Sequence, residues 1–237
     1  MTFPPRFRYA IILDMAVNTP SNAVQDYAKA IYALQRQGAG RVTNNALAER
    51  LGVSAASASG MVRKLDSLGL VRHEPYQGVR LTTAGERIAL EVVRHHRLLE
   101  LYLSETLGVP WDQVHAEAEV LEHVLSDELE ELIAEKLGDP SHDPHGEPIP
   151  TRDGRIREDD TVSLESVPTG ASGTFRSIYD AQPEMLRYLS ARGVTPGLAF
   201  EVVERQPFGG PLFVRLGGEV HALGGDLARR MRVEVTG

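Results

Sequence analysis

VTNNALAERLGVSAASASGMVRKLDSLGLV, residues 42–71, decides the fold. Leu47, Ala48 and Leu51 recur at helical spacing over a short first segment, and Gly52 supplies the turn that ends it. Ser54 is placed to cap a second helix that carries Met61, Val62 and Leu65 and ends in Arg63 and Lys64. Two short helices joined through a glycine, the second one Ser-capped and basic, read as a helix-turn-helix.

The flanks fit that reading. Upstream, NAVQDYAKAIYALQRQ (22–37) puts Val24, Tyr27, Ile31 and Leu34 at helical spacing, with Ser21 or Asn22 as cap and Gly38 as stop. Downstream, LVRHEPYQGVRLTTAG alternates like two strands joined around Tyr76-Gln77-Gly78, with Arg72 and Arg80 expected near the tip, which makes a wing. In this arrangement Ser54, Ala55, Ala56, Ser57 and Ser59 face the bases of the major groove, and Arg63, Lys64, Arg72 and Arg80 meet phosphates. The base-facing residues lack the Arg, Gln and Asn that read purines bidentately, so readout leans on thymine methyls, water and DNA shape. An ordinary helical hairpin with a solvated basic face is the plainer alternative.

Charge separates the two. The net charge of −8 alone argues against nucleic acid, but residues 1–85 carry 10 Lys/Arg against 5 Asp/Glu, residues 86–160 carry 7 against 20, and the rest 8 against 8. A basic front, an acidic middle and a neutral end imply three jobs. The absence of cysteine excludes disulfides, thiolate ligands and Cys nucleophiles, and suits a reducing cytoplasm. No apolar run reaches the roughly 18 residues of a membrane span.

The acidic middle begins with a long helix expected over about 84–107 and bearing His95, His96 and Glu100. HAEAEVLEHVLSDELEE (115–131) follows; Pro110 or Asp112 starts its helix, and Ser126-Asp127 restarts another to about Leu137. On one helix, His115, Glu119, Glu122 and His123 share an arc of about 100° that borders the apolar arc of Ala118, Leu121 and Leu125. Carboxylates at the edge of a core repel each other and lose hydration, so they need protons, cations or a metal. A solvated acidic face explains any single one of these glutamates. It explains less well a stripe matched by His96 and Glu100 at i, i+4 and by Asp26 on the first helix. Glu117, Asp127, Glu128, Glu130 and Glu131 read as solvated surface; His73, His95, His142 and His221 read as structural or exposed. Leu98, Leu99, Leu101, Leu107, Leu121 and Val124 offer apolar surface for a core or a dimer.

GDPSHDPHGEPIPTRDGRIREDD reads as a loop or linker, with a domain boundary near 155–165. Beyond it TVSLESV, AFEVVERQ, LFVRLGG, EVHALG and MRVEV are short strands with glycine turns, and PEMLRYLSARG is one helix, which together suggest a small β-barrel. The chain is therefore mainly α with small β parts.

AVQDYAKAIYAL, the winged helix, VVRHHRLLE, VHAEAEVLEHVLSDELE and DPHGEPIP occur in an order that resembles the metal-dependent repressors of the diphtheria toxin repressor (DtxR) and MntR type. The resemblance covers residues 22–150, while YDAQPEMLRYL and GVTPG look like that family's SH3-like domain. It is nearest the longer, manganese-responsive actinobacterial members. Residues 1–20 read as a flexible tail or an over-long start; the resemblance implies a winged helix-turn-helix over 21–84, a helical dimerisation and metal-binding domain over 85–155 and an SH3-like (FeoA-like) barrel over 160–237. It implies a cytoplasmic homodimer that binds a double-stranded DNA operator and represses metal-uptake genes when Mn(II) is bound, with no enzymatic activity and no membrane partner.

Carried over by position, the resemblance implies a primary site of Asp26, Glu119, Glu122, His123 and His96. Iron-responsive members carry Met at Asp26 and Cys at Glu119; acids at both favour Mn(II) over Fe(II), with Co(II) or Zn(II) substituting in vitro. Lys29, one turn after Asp26, disfavours a second ion there. An ancillary site would draw on Glu100, Asp143 and His145 with Asp180 or Gln182 from the C-terminal domain, or in the iron-type arrangement on His96, Glu100 and His115. His115 is thus either a ligand or a polar helix start. Two rivals of other classes remain: a metallohydrolase, against which stand the missing HEXXH motif and the winged helix, and a DNA-binding scaffold whose acidic middle binds protein.

Overall fold

Thr43 and Gly52 bracket the first helix of the motif at residues 42–71, and Ser54 begins the second. The computed structural model describes residues 20–236 except 40, 75–77, 158, 180 and 181, and not the side chain of Ala39. The expected tail, the wing tip at Tyr76-Gln77 and Asp180 thus lie outside the described residues, apart from Pro20 at the end of the tail. The chain divides into two units, one ending at Thr82 and one beginning at Thr83.

In the first unit α1 spans Asn22–Leu34 and closes through a wider turn at 35–39, where Gly38 takes φ 91°. The Thr43 hydroxyl accepts from the Ala46 N–H to start α2 (Asn44–Leu51), Gly52 ends it at φ 63°, and Ser54 accepts from the Ser57 N–H to start α3 (Ala55–Ser67). These side chains satisfy amides that have no partner inside the helix. The wing pairs β1 (Val71–Glu74) with β2 (Gly78–Leu81), and Val42 adds a bridge to Val79 through hydrogen bonds of 3.0 and 2.8 Å. Gly78 is required there, because it takes φ 94° and a Cβ would lie 2.7 Å from the Val42 carbonyl oxygen. Val24, Ile31, Leu47, Ala58, Val62, Leu65, Val71 and Val79 form one core beneath the motif. Arg72 and Arg80 are cross-strand partners next to the Val71–Leu81 pair, so they sit toward the base of the wing, not near its tip as expected.

The second unit is organised by α4 (Thr83–Leu107), whose buried face runs from Gly85 to Leu103. It packs on α5 (Val114–Leu121) and α6 (Asp127–Lys136), the latter capped by Ser126. The 115–131 stretch is therefore not one helix. α5 starts later than Pro110 or Asp112 and stops at Leu121, and a turn carries Glu122 and His123 into the interior; Leu121, expected on the buried arc, is partly exposed. Glu130 also departs from expectation, since it is buried beside Ile133 and Ala134 on the inner face of α6.

The stretch read as a linker is in part an interior segment. Asp143, His145, Glu147 and Ile149 are buried, and Arg97 and Arg94 of α4 donate to the carbonyls of Pro148 (2.5 Å) and Pro150 (2.7 Å). From there the chain enters an antiparallel six-stranded sheet of β3 (Val162–Ser163), β4 (Ser172–Ile178), β5 (Ala199–Arg205), β6 (Leu212–Leu216), β7 (Glu219–Leu223) and β8 (Met231–Thr236), in spatial order β3-β8-β4-β5-β6-β7. α7 (Pro183–Ser190) and α8 (Gly225–Arg230) cover it, and Phe175, Leu189, Val202, Val214, Leu216 and Met231 lie in its core. The sequence reading missed β4 and α8. SGTFRSI has little of the β-branched enrichment that marks a strand, yet it pairs with both β5 and β8. No helix among the described residues is long and apolar enough to cross a membrane.

Candidate metal centre and DNA-binding face

His96 is the hinge of the polar interior of the second unit. Its Nδ1 lies 2.5 Å from Glu122 Oε2 and its Nε2 lies 2.9 Å from Glu100 Oε1, so one ring on α4 spans two fully desolvated carboxylates. His115, at the start of α5, places Nδ1 at 3.0 Å from His96 Nε2 and 3.1 Å from Glu100 Oε1, and its Nε2 is 3.6 Å from Glu119 Oε1. Glu119 and His115 form the outer edge, with 43% and 44% of their side chains exposed, and a Glu119 oxygen is 3.8 Å from His96 Nδ1. His123 is largely buried, with Nε2 3.6 Å from Glu122 Oε1.

On the other side of Glu100 lies the buried loop. His145 Nδ1 is 3.4 Å from Glu100 Oε2, and its Nε2–H donates to the Trp111 carbonyl at 2.8 Å. That hydrogen bond assigns one ring nitrogen to the main chain and leaves Nδ1 facing the carboxylates. Asp143 Oδ1 accepts from the N–H groups of His145 and Glu147 at 2.8 and 2.9 Å, which folds the DPHGE loop around its own carboxylate. The loop is held against the sheet as well: the Ile178 N–H donates to the His145 carbonyl at 3.0 Å, and a Cβ on Gly146 would lie 2.0 Å from the Arg176 carbonyl oxygen.

The electrostatics separate two kinds of buried acid. Arg97 pairs with Glu147 at 2.8 Å and more loosely with Asp143 at 3.6 Å, and Arg94 pairs with Glu130, whereas the partners of Glu100 are histidines. Burial pushes the Glu100 carboxyl up, but His96 and the hydrogen bonds from His115, His145 and His96 outweigh it and hold the group well below the usual carboxylate range. Asp143 goes the other way, pushed up to about 6 by burial and by the neighbouring Glu100 charge. For His145 burial opposes the charged ring, but Glu100 and Asp143 raise it to about 9. A buried carboxylate like Glu100, whose stabilising partners are imidazoles, belongs to a donor set that a divalent cation fits, since the cation can take the place of imidazole protons. His96, His115 and Glu119 can offer ligand atoms within 4.8 Å of one another, and so can Glu100, Asp143 and His145. These atoms are carboxylate oxygens and imidazole nitrogens, suited to divalent first-row metals.

Of the other expected ligands, Asp26 lies half-buried on α1 in the first unit, and Gln182 is exposed at the N-cap of α7. Glu147, Arg97, Glu130 and His95 were not singled out as functional, although Glu130 stands three and four residues before Ile133 and Ala134, a spacing that places it on the buried face.

In the first unit Ser54, Ala55, Ala56 and Ser57 are exposed on the first turn of α3, and Arg63, Lys64, Arg72 and Arg80 are exposed as well. Ser59 differs. It is half-buried, and its hydroxyl accepts from Asn44 Nδ2 at 3.0 Å, which ties α3 to α2.

Comparison with known proteins fits all three parts. Residues 21–79 match the iron dependent repressor N-terminal DNA binding domain, 82–151 its metal binding and dimerisation domain, and 162–235 the FeoA domain. The iron-dependent repressor IdeR of Mycobacterium tuberculosis (strain ATCC 25618 / H37Rv) is 31% identical over 233 residues, covering 92% of this chain and 99% of the relative. The chain belongs to the DtxR/MntR family of metal-dependent repressors. The diphtheria toxin repressor of Corynebacterium diphtheriae (strain ATCC 700971 / NCTC 13129 / Biotype gravis) is 30% identical over 218 residues, covering 88% of this chain and 95% of that one. A solved manganese-dependent transcriptional repressor in complex with manganese superposes with a TM-score of 0.85 at 42% identity, covering 90% of this chain and all of that one. As a DtxR/MntR protein the chain is a metal-dependent DNA-binding transcriptional repressor, not an enzyme, which removes the metallohydrolase reading. Its C-terminal sheet is the family's SH3-like FeoA domain.

Proposed function

We propose that the protein is a Mn(II)-activated repressor of metal-uptake genes that binds its operator as a cytoplasmic homodimer. The observation that carries this reading is the donor set around His96, which consists of carboxylate and imidazole; by the resemblance, Glu119 stands where iron-responsive members carry Cys. Oxygen-rich sites with imidazole suit Mn(II), and thiolate or thioether sites suit softer metals.

In this proposal Glu119, Glu122, His123 and His96 form the primary set with Asp26, which the resemblance assigns from the first helix. Glu100, Asp143 and His145 form the ancillary set, with Asp180 or Gln182 as candidate C-terminal donors and His115 beside Glu100. A bound divalent cation would supply the positive charge that the buried carboxylates otherwise take from histidine protons. The chain's own part is to present those groups from α4, α5, the Glu122–His123 turn and the DPHGE loop. The exposed Leu107, Val120, Val124 and Leu132 of the helical domain support the dimer, while Leu98, Leu99 and Leu101 belong to the core. Domain limits of 21–84, 85–155 and 160–237 accompany this reading.

One observation favours Fe(II) instead: relatives spanning nearly the whole chain include iron-dependent repressors. A titration of operator binding against Mn(II), Fe(II), Co(II) and Zn(II), on the full chain, decides. Activation by Fe(II) at concentrations where Mn(II) is silent reverses the metal assignment, and equal DNA affinity with and without metal removes the mechanism.

A further inference from the structure

Behind the Glu122–His123 turn lies a second buried polar chain. The Glu122 main-chain carbonyl is 3.1 Å from His95 Nδ1, and His95 Nε2 is 3.1 Å from Glu130 Oε2. A carbonyl and an ionised carboxylate can only accept, so the ring donates from both nitrogens. The other Glu130 oxygen takes Arg94 Nε, and Arg94 Nη1 donates to the Pro150 carbonyl at 2.7 Å. His95 and Glu130 are each 6% exposed.

This chain grips one residue from two ends. Consecutive helical residues point about 100° apart, so α4 sends His96 to the Glu122 carboxylate and His95 to the Glu122 carbonyl. Glu122 follows the last residue of α5, where helix carbonyls have no partner within the helix and a cation is favourable. We infer that His95 and Glu130 are positioning residues, which fix the main chain of the Glu122–His123 turn so that the Glu122 carboxylate and the His123 imidazole stand ready for a divalent cation. The inference rests on the reading of Glu122 and His123 as ligands. Groups that orient ligands in this way change metal affinity by about 10–100-fold when removed.

A helix cap without influence on the site is the competing account, and metal affinity distinguishes them. Mn(II) is titrated into the full-length protein while the EPR signal of the free aqueous ion is followed. The proteins compared are the wild type, Glu130→Gln, His95→Gln, Glu122→Gln and Leu189→Ala, the last altering the core of the C-terminal sheet. Glu130→Gln and His95→Gln are expected to weaken Mn(II) binding about 10–100-fold, whereas Leu189→Ala lowers Tm and keeps the wild-type affinity. Wild-type affinity in whichever of Glu130→Gln and His95→Gln folds, or equal weakening by Leu189→Ala, overturns the positioning role. Glu122→Gln separates the two levels: if it binds Mn(II) like the wild type, the ligand reading has failed and the positioning role falls with it. If it loses binding while His95→Gln and Glu130→Gln do not, only the positioning role has failed.

Discussion

Arg72 and Arg80 stand directly opposite each other on the two strands of the wing, and both are exposed. Like charges at paired positions of an antiparallel ladder repel, so the pair weakens the isolated hairpin by a few tenths of a kcal/mol up to about 1 kcal/mol. An anion laid across the wing reverses that penalty. Arg72→Ala or Arg80→Ala is expected to leave thermal stability unchanged or slightly raised. Each is expected to weaken operator binding and to lower the slope of log K against log [salt] by about 1, the loss of one phosphate contact. An unchanged salt slope in both variants places the DNA elsewhere on the unit.

Ser59 is expected to act through Asn44 and not through a base. Among the described residues Asn44 Oδ1 is already buried without a hydrogen-bond partner, so Ser59→Ala, which removes the partner of Nδ2 as well, costs about 1–3 kcal/mol. Asn44→Ala removes the whole amide and should cost less, and the double variant should resemble Asn44→Ala. Denaturant unfolding of the four proteins gives the coupling. If Ser59→Ala lowers operator affinity equally in the wild-type and Asn44→Ala backgrounds, Ser59 reads DNA after all.

How far these features were legible follows from where each signal resides. The helix-turn-helix could be read because caps and turns are local: Thr43, Gly52 and Ser54 act within three or four residues of themselves. The ligand types could be read too, but not their placement. A helical wheel places Glu122 and His123 on the face of one continuous helix, whereas the chain leaves the helix at Leu121 and turns both inward, with the Glu122 carbonyl meeting His95, 27 residues away. The Pro- and Gly-rich stretch looked like a linker because composition reports local conformation only. Arg97, Trp111 and Ile178, all distant in sequence, make its DPHGE portion interior.

Glu130 contributes to the acid sensitivity of the helical domain. Burial pushes its carboxyl up, but the hydrogen bonds from His95 and Arg94 and their charges outweigh this and hold it below the ordinary value of 4.5. With the folded pKa depressed, the unfolded chain binds more protons between the two values. The stabilisation is therefore present above about pH 4.5 and is lost as pH falls through the folded value. Thermal denaturation across the range from neutral to acid is expected to show a smaller acid-induced drop in Glu130→Gln than in the wild type. Parallel curves for the two proteins would mean that other carboxylates carry the acid limit.

Glu119 is where metal preference can be moved with the least damage. Its side chain is 43% exposed, at the edge it shares with His115 while His96, Glu100 and Glu122 are deeply set, so Glu119→Cys should fold normally. The substitution exchanges a hard oxygen for a thiolate beside His96 and His115, and thiolates favour later, softer metals, with Zn(II) and Co(II) gaining over Mn(II). In a metal-titrated operator-binding assay, the Mn(II) concentration needed for half-maximal binding is expected to rise and that for Zn(II) or Co(II) to fall, changing their ratio by about tenfold or more, the equivalent of about 1.4 kcal/mol. Thiolate ligation has its own signature, a sulfur-to-cobalt charge-transfer band in the near ultraviolet of the Co(II) protein. A variant that keeps the wild-type order of metals, and whose Co(II) form shows no such band, removes Glu119 from the ligand set. Oxygen donors at Asp26, Glu100, Glu122 and Asp143 would then have to account for the preference without it.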